Sequence, residues 1–139
     1  MRWLLAALAM AALSQETSRS VWEGVYTEAQ AKRGAAIYSG ECAGCHGLDL
    51  TGVETASALS GGEFLSGWYG LTAGDLFERI RVTMPASRPG SLSREKTADV
   101  LAYILNFNRF PAGNTELVRQ VESLKQIRIE AQPPKRSIP

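Results

Sequence analysis

The sequence predicts an all-α domain of three to four short helices joined by long loops. Three observations carry that prediction. Three segments open with a helix-capping residue and continue with apolar residues at helical spacing. Between the first two lies a glycine-rich stretch, residues 47–70, with six glycines and no strand-like alternation. The helices together offer little apolar surface for so much loop, so a large apolar group is expected to complete the core.

The chain has 139 residues, enough for one domain with a leader and a tail. Residues 1–14 have the form of a secretory signal peptide, with Arg2, an apolar run over residues 3–13 and a small-residue site at Ala12. The eleven apolar residues are fewer than the roughly 20 that span a bilayer. Cleavage is expected, giving a periplasmic or otherwise exported protein with no stable membrane insertion. Residues 15–25 are a polar lead-in. Thr27 caps a helix running to about Ser39, with Gln30 completing a capping box and Gly40 ending it. Thr72 caps a second helix with Asp75 in its first turn, and Pro85 stops it. Ser93 caps a third, through Phe107. The expected divisions are 1–14 leader, 15–25 lead-in, 26–110 domain and 111–139 C-terminal tail. In that tail Leu117, Val121, Leu124 and Ile127 would form a short amphipathic turn or two.

Charge excludes one function class. Fifteen Lys and Arg nearly balance fourteen Asp and Glu, so the basic excess of a nucleic-acid binder is missing.

The chemistry concentrates in GECAGCHG, residues 40–47, which holds both cysteines and the single histidine. A structural zinc site needs four ligands, and this cluster offers three. A thioredoxin-like pair wants a βαβ setting that the helices do not offer. A disulfide over so small a loop would stabilise little. Cys-x-x-Cys-His as a covalent haem anchor accounts for all three residues. Cys42 and Cys45 lie on one face of a helical turn, where they can add to the two haem vinyl groups. His46 then follows as an iron ligand. Once the leader is removed, Met84 is the sole methionine, in a Thr-Met-Pro loop 38 residues after His46. It is the candidate second axial ligand; the alternative is a gap-filling core methionine.

With these motifs in place, residues 26–108 resemble a class I c-type cytochrome of the small bacterial monohaem kind. Gly34 and Tyr38 match the glycine and aromatic of the family's first helix, and residues 99–104 (DVLAYI) match the last helix that crosses it. The resemblance implies a cytochrome c-like fold wrapped around one haem c with its iron. Trp68 would lie near a haem propionate, or else serve as a core aromatic. Leu59, Leu65, Phe77, Ile80 and Val82 would line the ring. The family's proline after the motif, whose carbonyl holds the haem histidine, is missing; Ser57 or Ala56 stands there. The implied function is single-electron transfer through a His/Met-ligated haem, without enzymatic turnover. Implied partners are periplasmic dehydrogenases as donors and terminal oxidases as acceptors. Arg79, Arg81, Arg88, Arg94 and Lys96 around the Met84 loop would steer an acidic partner. Two alternatives stand beside this. One is a haem subunit held permanently on a dehydrogenase through the C-terminal tail. The other is a ligand-binding or sensing haem protein, should Met84 leave the iron free.

Overall fold

Hydrogen bonds at the predicted caps set the helices. The computed structural model describes residues 18–135; the expected leader lies outside them. The order is β1 (Arg19–Ser20), a 3-10 turn (Val21–Glu23), α1 (Glu28–Glu41), α2 (Ala43–His46), α3 (Gly61–Trp68), α4 (Ala73–Thr83), α5 (Arg94–Phe107), α6 (Val121–Leu124) and β2 (Ile127–Arg128). The architecture is all-α and cytochrome c-like. Its only strands among the described residues are the two-residue pair β1 and β2, parallel, with Arg19 opposite Ile127.

Thr27 Oγ1 accepts from the Gln30 N–H at 3.1 Å. The reciprocal half of the capping box does not form, because the Gln30 side chain is committed elsewhere. Its Nε2 donates to the Leu117 carbonyl at 2.9 Å, and its Oε1 accepts from the Leu117 N–H at 2.6 Å. Thr72 and Asp75 do form a full box at the start of α4, at 3.2 and 2.9 Å. Ser93 Oγ accepts from the Lys96 N–H at 3.1 Å to open α5. Gly40 does not end α1. The helix runs through it to Glu41, and the Cys42 N–H still donates to the Tyr38 carbonyl at 2.9 Å.

Helices α1 and α5 cross at Gly34. A methyl group there would sit 1.8 Å from the Asp99 carbonyl oxygen and 2.9 Å from Tyr103 Cβ, so only glycine permits this approach. The rings of Tyr38 and Tyr103 fill the crossing at a centroid distance of 5.2 Å. Beside it Arg33 donates to both oxygens of Asp99 at 3.1 Å and also pairs with Glu116.

Two expectations need correction. The glycine-rich stretch contains α3, whose Phe64 is buried while Leu65 and Trp68 pack partly against the core. The segments flanking residues 26–110 are neither lead-in nor tail. Val21 and Val25 on one side, and Leu117, Leu124, Ile127 and Ile129 on the other, belong to the same buried cluster. The physical reason is non-local pairing. Besides β1 and β2, the Gly70 N–H donates to the Ile129 carbonyl at 3.0 Å and the Ile129 N–H to the Leu71 carbonyl at 2.8 Å. Trp22 Nε1 donates to the Glu130 carbonyl at 2.8 Å.

Candidate haem site

The motif sits where α1 gives way to α2. Cys42 breaks the helix with φ −126° and ψ −38°, and α2 is a single turn carrying Cys45 and His46. Both sulfurs are free thiols; Cys42 is half-buried and Cys45 exposed. Burial, aided by the neighbouring Glu41 carboxylate, pushes the Cys42 thiol up to about 11. That is the opposite of the lowered value of a redox-active dithiol. Among the described residues no cluster of three or more His, Cys, Asp or Glu side chains is arranged to hold a metal ion. The zinc reading therefore lacks its ligands.

His46 is buried, and its Nδ1 lies 2.7 Å from the Ser57 carbonyl oxygen. A carbonyl can only accept, so Nδ1 carries a proton, and in the neutral ring the lone pair is then on Nε2. The carbonyl that the family usually takes from proline is supplied here by serine. The 46–58 turn that delivers it is tightly wound. The Gly52 N–H donates to the His46 carbonyl at 2.9 Å, and Val53 and Ala56 exchange hydrogen bonds at 2.8 and 3.1 Å. Gly52 has φ +76°, and a methyl there would lie 2.5 Å from the Ala56 carbonyl oxygen. Tyr38 adds a second tie, its hydroxyl donating to the Gly47 carbonyl at 2.7 Å. Burial raises the Tyr38 pKa first, and the nearby Cys42 raises it further.

The Ser57 N–H donates no hydrogen bond, so a proline there would remove none. Ser57→Pro is therefore expected to keep the carbonyl in place and to stabilise the holoprotein by about 0.5 kcal/mol through the unfolded chain. Thermal unfolding checks this; a loss of more than ~1 kcal/mol would contradict it.

Met84 is the residue after α4, its N–H donating to the Ile80 carbonyl at 3.0 Å. It is half-buried against the core, and the next residue, Pro85, is buried. An ion pair that the sequence did not suggest brings this loop to the motif. Arg88 donates to Glu41, the residue before Cys42, at 2.7 Å. Exposed as it is, the pair contributes little stability, but it fixes which segments are neighbours. Phe77 and Ile80 are buried and Leu59 and Leu65 partly so, whereas Val82 is 53% exposed and stands apart from the packed set. Trp68 ends α3 half-buried, its ring 6.3 Å from that of Phe64.

The donor set therefore fits a haem. It offers two free thiols on one turn, an imidazole with Nε2 presented, and a thioether on a neighbouring loop beside an apolar wall. No helix among the described residues is long and apolar enough to cross a membrane.

Comparison with known proteins agrees. The family described as cytochrome c oxidase, cbb3-type, subunit III matches residues 29–104, more than half of the chain. No curated protein matches. Among solved structures, the chain is similar to the sulfane dehydrogenase SoxCD from Paracoccus pantotrophus. The identity is 20%, covering 88% of this chain and 67% of that one with a TM-score of 0.51, a likeness of fold. The matched segment runs from the first turn of α1, through the cysteine motif and Met84, into α5. The chain is thus a member of that cytochrome c family, an electron-transfer protein of the class I c-type cytochrome kind with covalently bound haem c.

Proposed function

We propose that the protein is an exported single-electron carrier whose haem is held by Cys42 and Cys45 and whose iron is ligated by His46 and Met84. The observation that carries this reading is the 2.7 Å contact of His46 Nδ1 with the Ser57 carbonyl. It fixes the tautomer whose Nε2 can bind iron and makes that nitrogen a better donor. When bound, the haem supplies a one-electron Fe(III)/Fe(II) couple, and a methionine ligand raises its potential.

The protein's own residues do the rest. Ser57 and Tyr38 hold the motif turn rigid, so that His46 keeps its orientation in both oxidation states. Leu59, Leu65, Phe77 and Ile80 keep water from the ring. Trp68 serves as the donor to a propionate. With Met84 in place no substrate reaches the iron, so the protein passes electrons without turnover of its own. The residues form one unit from β1 to β2, once the leader 1–14 is removed in export to the periplasm. Periplasmic dehydrogenases as donors and terminal oxidases as acceptors fit such a carrier. The fold likeness to the sulfane dehydrogenase SoxCD is in keeping with the first of these. The alternative of a subunit held permanently through its C-terminal tail is weakened, because Leu117 and Leu124 are buried within the fold.

The test is the absorption spectrum of the oxidised holoprotein. A weak far-red band from methionine bound to iron is expected, and Met84→Ala should abolish it and lower the potential. Covalent haem without that band in the unmodified protein would move the assignment to a ligand-binding or sensing role.

A further inference from the structure

Near-neutral overall charge conceals a strong segregation. Between residues 34 and 78 there are six acidic residues and no Lys or Arg. From residue 79 onward there are eleven Lys and Arg against five acidic residues. The acidic stretch includes the whole haem-attachment turn. Glu41 and Glu78 are neutralised by Arg88 and Arg81, and Asp75 is used in the α4 cap. Asp49, Glu54 and Glu63 are exposed, and among the described residues none has a cationic partner. Asp49 is held in the turn by Thr51, whose hydroxyl donates to it at 2.7 Å. Hydrogen bonds from Thr51 lower its pKa, so it stays charged.

The same turn carries the two most exposed large apolar side chains of the described residues, Leu48 at 74% and Val53 at 60%. Both sit close to exposed Cys45. Leu48 is three residues beyond it, and Val53 follows Gly52, whose N–H is bonded to the His46 carbonyl. Two exposed large apolar side chains on one turn with the exposed, unneutralised carboxylates of Asp49 and Glu54 have the composition of a contact surface.

From this we infer that the 46–54 turn is the docking face of the protein, and that its occupant is a redox protein whose own cofactor edge is framed by Lys and Arg. The inference rests on the electron-carrier reading and decides the chemistry of its partner. It reverses the sequence expectation that the basic residues near Met84 steer an acidic partner. Arg81 and Arg88 of that group are paired with Glu78 and Glu41, which leaves Arg79, Arg94 and Lys96. These lie outside the attachment turn, whose Asp49 and Glu54 have no cationic partner among the described residues.

The experiment is stopped-flow electron exchange on the holoprotein, using small complexes of opposite charge. Hexaammineruthenium(II) gives one electron to the oxidised protein, and ferricyanide takes one from the reduced protein; no atom is transferred. Raising the ionic strength from ~10 mM to ~0.5 M is expected to slow the ruthenium reaction about threefold or more, because screening removes the attraction. The ferricyanide reaction should hold steady or quicken. The exposed-turn variant Asp49→Lys/Glu54→Lys should invert both dependences. Octalysine at low salt should block the ruthenium reaction of the native protein and leave the variant unaffected. Salt-induced slowing of ferricyanide with the native protein, or equal action of octalysine on both proteins, overturns the docking face. Failure of either complex to exchange an electron overturns the carrier reading itself.

Discussion

Alanine at position 34 is expected to destabilise the holoprotein by about 3 kcal/mol or more. The added methyl would lie 1.8 Å from a backbone carbonyl oxygen of α5, which cannot rotate away. Helix propensity pulls the other way, since alanine is favoured over glycine in a helix by about 1 kcal/mol. The clash wins because its relief requires α1 and α5 to move apart, and the Tyr38–Tyr103 contact would loosen with them. Denaturant unfolding of the Gly34→Ala holoprotein measures the effect. A midpoint unchanged from that of the native protein would mean that the crossing yields without cost, and the account of Gly34 would fail.

Gln30→Ala carries the second large effect. Gln30 is 2% exposed and satisfies both the N–H and the carbonyl of Leu117, 87 residues away. Truncation leaves two backbone groups facing a dry interior, each orphan costing about 1–3 kcal/mol. A loss of roughly 2–4 kcal/mol is expected, against less than ~0.5 kcal/mol for exposed Lys32→Ala on the same helix. Equal losses for the two variants would show that water reaches Leu117 and would remove the proposed role of Gln30.

The same residue shows how far the sequence could be read. Thr27, Thr72 and Ser93 announced their helices because a cap is a local bond, written within three residues. The cysteine motif was equally legible, since its chemistry needs fixed spacing along one turn. What escaped was non-local. Gln30 has the spacing of a capping box, yet its amide is drawn to Leu117. Leu117, Val121 and Leu124 have helical spacing, yet only Val121–Leu124 forms a helix, because the rest of the segment pairs with distant strands and loops. Helix α3 was hidden for another reason. Gly61, Gly62 and Gly67 suggested a loop, while Phe64, Leu65 and Trp68 carried a short apolar stripe among them. At the site, the carbonyl of Ser57 beside His46 was legible. The Arg88–Glu41 pair and the Tyr38 tie to Gly47 were not, though Glu41 stands directly before the first cysteine.

The pairing of β1 with β2 has a consequence for how the chain closes. Arg19 and Ile127 are at opposite ends of the described sequence, so their contact encloses nearly all of it. Loop-closure entropy and contact order both make such a contact late. A nascent chain that has not yet delivered Gln126 has no partner for the Arg19 N–H, and until Ile129 follows it has none for the Leu71 carbonyl. Its cysteine-bearing turn, by contrast, is complete from residue 58. The order of synthesis therefore presents the thiols on a domain that still lacks its seal.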